Sequence, residues 1–332
     1  MPSVHSKSKI NEIILHKQVK HLKPSATLLI NEQTKVLLKA GKKVYKLGFG
    51  QSPFPVPGEV VEALIVHAAV NDYLPVKGLY ELRVAVADHL KRVQNLNYTA
   101  DNILIGPGSK ELIYSAQLAL DATLLLPSPS WVSYEPQAHL LGRKTVWLDT
   151  KPENNWCLDT ETLDRALQQE MNPGKILILT YPNNPTGTTY QAEQLKAIAA
   201  VARKHGAIII ADEIYGLTHH DGIHHSIAQF YPEGTIVSTG LSKWCGAGGW
   251  RLGTFTLPDN LSPLLEAMAA IASETYTSVS APVQFAAIKA YQGSPAIDQY
   301  LADIRKVLKT VGQFVYKQLK QMAIQLPTAD GG

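Results

Sequence analysis

The chain has 332 residues, of which 45% are hydrophobic and 18% charged, with a formal net charge of +3. That balance excludes a disordered polymer and leaves enough apolar residues for one large buried core and a smaller unit. Lysines and arginines are scattered rather than clustered, which argues against a nucleic-acid or anionic-membrane surface, and no apolar run is long enough to span a bilayer. The two cysteines, Cys157 and Cys245, lie far apart without metal-ligand spacing, so a reduced, cytoplasmic setting is expected. Residues 1–11 carry Ser and Lys but no acid and read as a frayed polar terminus rather than a transit peptide.

From about Asn71 to Pro258, short apolar runs alternate with helical patterns. Ile103-Leu104-Ile105 predicts a buried strand ended by Gly106-Pro107-Gly108. A helix then opens near Ser109 with Leu112, Ile113 and Ala116 on one face. Thr123 to Leu126 predicts a second strand, stopped by Pro127 and Pro129, and Lys175 to Thr180 a third, ended by Pro182. Leu195, Ile198, Ala199 and Ala202 recur at helical spacing, and Gly206 closes that helix. Ala207 to Ala211 and Thr235 to Ser238 predict two more strands. Continuously apolar strands separated by helices imply an α/β fold, a mostly parallel sheet covered on both faces, with ligands beyond the carboxyl ends of the strands. Residues 51–292 are assigned to this large domain, and 1–50 with 293–332 to a second, smaller one. The tail from about Pro295 reads as one amphipathic helix through Ile304, Leu308, Val311, Val315 and Leu319.

Four segments fall at or just after predicted strand ends: Gly106-Pro-Gly-Ser-Lys110, Tyr181-Pro-Asn-Asn-Pro-Thr-Gly187, Ala211-Asp-Glu-Ile-Tyr215 and Ser242-Lys-Trp-Cys-Gly-Ala-Gly-Gly-Trp-Arg251. Their order and spacing resemble the class I aminotransferases, the aspartate-aminotransferase-like branch of fold-type-I pyridoxal-phosphate enzymes, from about Leu47 to the last residue. The resemblance implies ping-pong transamination between an amino acid and a 2-oxo acid, with Lys243 holding pyridoxal phosphate as a Schiff base and moving the substrate's Cα proton. It implies that Asp212 pairs with the pyridine nitrogen, keeping it protonated, and that Tyr215 and Asn184 donate to the phenolic oxygen. Gly108, Ser109 and Lys110 at a helix start would cradle the phosphate, with Arg251 as its bidentate partner, and Trp131 would stack on the ring. Gly50 and Asn184 match substrate-pocket positions. Tyr73 matches a tyrosine that reaches the phosphate of a neighbouring subunit, which implies a homodimer. The family often has a serine where this chain has Gly240, leaving Ser238 or Ser242 as candidate replacements. Matching positions also imply cis bonds at Ser128–Pro129 and Asn184–Pro185.

Other readings compete. His219, His220, Asp221, His224 and His225 crowd one stretch without ligand spacing, so no metal is expected. Gly106-Pro107-Gly108 starts a dinucleotide fingerprint, but Glu111 stands where its third glycine belongs. Other chemistry on the same cofactor, such as β-elimination, and a non-catalytic pyridoxal-phosphate-binding protein remain alternatives. Dicarboxylate-specific relatives use an arginine shortly before the segment matching Ser280-Ala-Pro282, and residues 274–279 contain none. Family members also continue beyond the point matching Thr328–Gly332, into a part that carries the arginine for the substrate's α-carboxylate. The expectation is a C-terminally truncated, weakly active chain with part of its tail helix uncovered.

Overall fold

The computed structural model describes residues 13–20, 22–48, 50–322, 324 and 326–332. The polar stretch 1–11 lies outside them. Among the described residues one seven-stranded sheet is built from β1 (Ile103–Gly106), β2 (Thr123–Ser128), β3 (Thr145–Asp149), β4 (Lys175–Thr180), β5 (Ile208–Asp212), β6 (Thr235–Gly240) and β7 (Gly253–Thr256). Its spatial order is β1-β7-β6-β5-β4-β2-β3. β2 pairs in parallel with β3 and β4, β4 with β5 and β5 with β6, while β7 runs antiparallel between β1 and β6. The α/β expectation holds, with one reversed strand inside the sheet.

Side-chain alternation sorts the strand residues onto two covered faces. Ile178, Ile210 and Ile236 pack with Leu112 and Ile113 of α4 (Ser109–Ala119), Tyr134 of α5 (Tyr134–Leu140) and Met268 of α8 (Ser262–Thr275). On the opposite face Leu177, Leu179 and Ile209 meet Leu163 of α6 (Thr160–Gln169) and Leu195 and Ile198 of α7 (Ala192–Lys204). Toward β1 the apolar layer continues through Val60 of α2 (Gly58–Val66), Leu82 of α3 (Tyr80–Gln94), Ala286 of α9 (Ala281–Gln292) and Ile297, Leu301 and Ile304 of α10 (Pro295–Gln321). Farther along α10, Val311, Phe314 and Val315 are exposed, as are Leu28, Ile30 and Val36 of α1 (Ala26–Lys39). No helix among the described residues is long and apolar enough to cross a membrane.

Four strand boundaries depart from the sequence reading, that of β1 by taking in Gly106. β2 runs through Pro127 to Ser128, because its bonding to β4 is confined to residues 123–125 while its pairing with β3 continues to Ser128↔Asp149. A proline costs little where a strand has already parted from one neighbour. β5 is shifted by one residue and includes Asp212, which pairs with Thr180 and Ser238. β6 extends to Gly240, held by β7. β3 and β7 are unforeseen: β3 is a sheet edge with only Leu148 fully buried, and β7 is four residues long.

A row of glycines sets the sheet end that matters for the site. Gly106 of β1 and Gly240 of β6 both pair with Gly253 of β7. A Cβ on Gly253 would stand 2.3 Å from the Ser109 amide nitrogen, one on Gly106 2.6 Å from the Leu112 side chain, and one on Gly240 2.7 Å from the Leu252 carbonyl. The bare row lets the first turn of α4 lie directly against the strand ends. It also explains why no serine side chain stands at Gly240. Replacing Gly253 by Ala forces α4 away from β7 and should cost about 1–3 kcal/mol by overpacking, measurable as a lowered midpoint in urea denaturation; an unchanged midpoint would contradict the close approach.

Candidate active site

The carboxyl ends of β4, β5 and β6 and the loop before α4 converge on one region. Lys243 follows β6, and its Nζ donates to the Gly50 carbonyl at 2.8 Å and sits 5.2 Å from the centre of the Tyr215 ring. Burial, and secondarily the Arg251 charge, hold its amine below the ordinary lysine range, against the pull of Asp212. Tyr215, in the turn after β5, is bonded to the Asn184 side chain and pushed up to about 12 by burial and the Asp212 charge. Lys243, Tyr215, Asn184 and Gly50 line a cavity of about 400 Å³, whose far wall includes Ile304 and Leu308 of α10 together with Ala329, Gly331 and Gly332. The last residues reach it by pairing: the Asp330 and Gly331 amides donate to the Gly187 carbonyl, and the His220 amide donates to Asp330.

Asp212 ends β5 at 3% exposure. Its Oδ2 accepts from the Tyr134 hydroxyl at 2.6 Å, whereas Oδ1 is buried with no partner among the described residues. Burial pushes this carboxyl up to about 6, against the bonds from Tyr134 and the Ile214 amide. Tyr134 meets Trp131 edge-on at 5.2 Å, and Lys110 rests over the Trp131 ring at 4.9 Å. Burial and the Arg251 charge depress the Lys110 amine.

The start of α4 has the features that suit an anion. Its first amides have no intrahelical partner, and the capping residue Gly108, at φ +95°, brings no side chain to satisfy them. A Cβ on Gly108 would lie 2.1 Å from Arg251 Nη2. Arg251 holds that place in a left-handed conformation, φ +56°, with its guanidinium bonded to the Gly248 and Pro107 carbonyls. Such backbone strain is concentrated at working sites. The structure thus brings together Gly50, Gly108, Ser109, Lys110, Trp131, Asn184, Asp212, Tyr215, Lys243 and Arg251. Tyr73 stands apart, 89% exposed. Both expected cis bonds, Ser128–Pro129 and Asn184–Pro185, are present, along with an unforeseen one at Tyr181–Pro182. Of the two serines considered in place of Gly240, Ser238 is fully buried with an unpartnered hydroxyl. A larger cavity of about 720 Å³ between β3 and α6 contains none of these residues.

Two residues important to the geometry escaped the sequence reading. One is Tyr134, three positions after Trp131. The other is Glu213, which points to the opposite face from Asp212. Glu213 accepts from Gln94 at 3.0 Å, Tyr181 at 2.7 Å, Ser226 at 2.6 Å and His224 at 2.9 Å. It ties α3 to the loop carrying Asn184 and the turn carrying Tyr215, and it accounts for one member of the histidine-rich stretch. Among the described residues no group of three or more His, Cys, Asp or Glu side chains could hold a metal ion. An amide at 213 would turn a donor toward donors, so Glu213→Gln should lower stability on the order of 3 kcal/mol, read as a drop in thermal midpoint; a wild-type midpoint would deny the hub role.

Residues 42–332 match the model of the family described as aminotransferase class I and II. The aspartate aminotransferase of Bacillus subtilis is 34% identical over 288 residues, which cover 84% of this chain and 72% of the relative. The aspartate aminotransferase of Geobacillus stearothermophilus is 34% identical over 319 residues, covering 93% and 78%. Among solved structures, aspartate aminotransferase from Thermus thermophilus with maleate superposes with a TM-score of 0.89 at 29% identity, covering 96% of this chain and 84% of that one. The chain belongs to the class I and II aminotransferases, pyridoxal-phosphate-dependent enzymes that transfer an amino group between an amino acid and a 2-oxo acid.

Proposed function

We propose that the ten converging residues are the cofactor and substrate site, with Lys243 as the catalytic amine. The observation that carries the reading is the unsatisfied Oδ1 of buried Asp212, which lies in the same site as a lysine of depressed basicity and an uncapped helix start beside Arg251. A buried carboxylate oxygen with no partner among the described residues is costly unless a ligand or water meets it. When bound, pyridoxal phosphate supplies an aldehyde for an amine to condense with and an electron-accepting ring for the Cα–H electrons.

The remaining work falls to the chain. The amides of Ser109 and Lys110 and the Arg251 guanidinium hold the phosphate. Trp131 is the aromatic wall, Asp212 faces the ring nitrogen, and Tyr215 with Asn184 faces the phenolic oxygen. Burial lowers the basicity of the Lys243 amine, the direction that both condensation and removal of a proton from the substrate's Cα require. Gly50 accepts the Lys243 ammonium and lines the substrate side of the cavity. The exposed Tyr73 suits a role in a partner's site, so the active form is a homodimer. Residues 51–292 form the cofactor-binding domain, with 1–50 and 293–332 belonging to the smaller one, and the enzyme works in the cytoplasm. The names of the Bacillus and Geobacillus relatives suggest aspartate as amino donor, and with no arginine in residues 274–279 its side-chain carboxylate would need another partner.

Lys243→Ala should lose turnover by at least about 10²–10⁴-fold and lose the absorbance of the lysine-linked cofactor, while circular dichroism stays native. Wild-type turnover by that variant would end the assignment. Asp212→Asn should reduce turnover far more than cofactor occupancy, because phosphate contacts dominate binding; equal losses would make Asp212 a structural residue. A panel of amino acids mixed with the cofactor-loaded enzyme, followed by absorbance, should show aspartate reacting, and silence with aspartate would remove it as donor.

A further inference from the structure

We infer that Tyr134 is a positioning residue for transamination: its hydroxyl, shared between Thr180 and Asp212, holds one oxygen of the Asp212 carboxylate and leaves the other free for the cofactor's ring nitrogen. The inference rests on the reading that Asp212 faces that nitrogen. Register places Thr180 and Asp212 side by side, since the last residues of β4 and β5 are paired and their side chains share a sheet face. Tyr134, fully buried on α5, packs on that face. Its hydroxyl lies 2.6 Å from Thr180 Oγ1 and 2.6 Å from Asp212 Oδ2. A carboxylate fixed at Oδ2 cannot rotate freely, so Oδ1 is presented in one orientation. The same phenol ring meets Trp131 edge-on, so one side chain sets both the ring-nitrogen partner and the aromatic wall.

The bond also bears on the charge of Asp212. Four titratable groups act on this carboxyl or its phenol partner: Tyr134 from α5, Glu213 just after β5, Tyr215 in the following turn and Lys243 after β6. Lys243 alone among them can carry a positive charge. A hydrogen bond donated to a carboxylate favours its ionised form, whereas burial and the Glu213 charge oppose it. Without the Tyr134 hydroxyl, Asp212 takes up a proton at higher pH and holds the ring nitrogen less firmly.

Tyr134→Phe keeps the ring and deletes only the hydroxyl. In the full chain without cofactor, infrared difference titration against Asp212→Asn isolates the Asp212 carboxyl, and its midpoint, about 6 in the wild type, should rise by about one pH unit or more in Tyr134→Phe. In the loaded enzyme kcat should fall about 10–100-fold with KM and cofactor affinity within about twofold of wild type. Thr180→Val, which removes the far end of the bond pair, should move both readouts in the same direction by less and guards against a folding defect in the first variant. An unmoved infrared midpoint in Tyr134→Phe, whether kcat is retained or falls together with stability and cofactor affinity, overturns the proposal while Asp212→Asn remains impaired. Wild-type turnover by Asp212→Asn overturns the underlying assignment instead, and the proposal with it.

Discussion

Asp212 and Glu213 are adjacent, acidic and both about 3% exposed, and the rest of the site depends on how the sheet separates them. Alternation at the end of β5 sends one carboxylate to each face. On the α7 face Glu213 meets four donors from α3, the loop after β4 and the segment around Ser226, and it is fully satisfied. On the α5 face Asp212 meets a single side-chain donor and keeps one oxygen bare. A buried carboxylate is tolerable only when its charge is compensated. The first pays that requirement within the protein and locks two loops together. The second leaves it to be met by a ligand.

The other end of the site depends on removal of side chains rather than on their placement. With Gly106, Gly253 and Gly240 abreast, the first turn of α4 can touch the strand ends, and its free amides arrive beside Arg251. The first turn of α4 and the Asp212 carboxylate therefore sit at one end of the sheet, with Arg251 reaching α4 from the connection between β6 and β7. That placement matters for a reaction in which an amine, a ring and a substrate proton must keep a fixed geometry. Lys243 hangs from the connection between two of the glycine-bearing strands, β6 and β7, and its Nζ is bonded to the Gly50 carbonyl.

Much of this was legible in the residues because it is local. Apolar runs such as Ile208–Ala211 reveal buried parallel strands by composition alone, and glycine and proline mark the turns in which the candidate site residues lie. What escaped is long-range or lacks a pattern. β7 is a four-residue strand reversed between two others, and nothing in Gly-Thr-Phe-Thr announces its partners. β3 is an edge strand whose half-exposed residues dilute the apolar signal. Tyr134 is separated by 46 positions from Thr180 and by 78 from Asp212, so its role exists only after the sheet forms. Glu213 sat in plain view beside Asp212, but its function is to accept bonds from residues as far away as Gln94, 119 positions earlier.

The same contrast separates structural from working polar groups elsewhere in the chain. His224 gives its Nε2 to Glu213, stacks on Tyr181 at 5.3 Å and fills the space that a side chain at Gly216 would need. Each of these contacts stays inside the protein, so His224 of the histidine-rich stretch is held by packing and one buried pair. Lys243, by contrast, is held by a single carbonyl and an aromatic face while burial disfavours its charge. A lysine kept for stability would be given a carboxylate within bonding distance, as Lys144 is given Glu170 at 2.7 Å and Lys309 is given Asp221 at 2.5 Å. The nearest acid acting on Lys243 is Asp212, whose own bonded oxygen belongs to Tyr134. The amine and the bare Oδ1 are thus left incompletely paired in the same small region, which is the pattern that the proposed pyridoxal-phosphate site calls for.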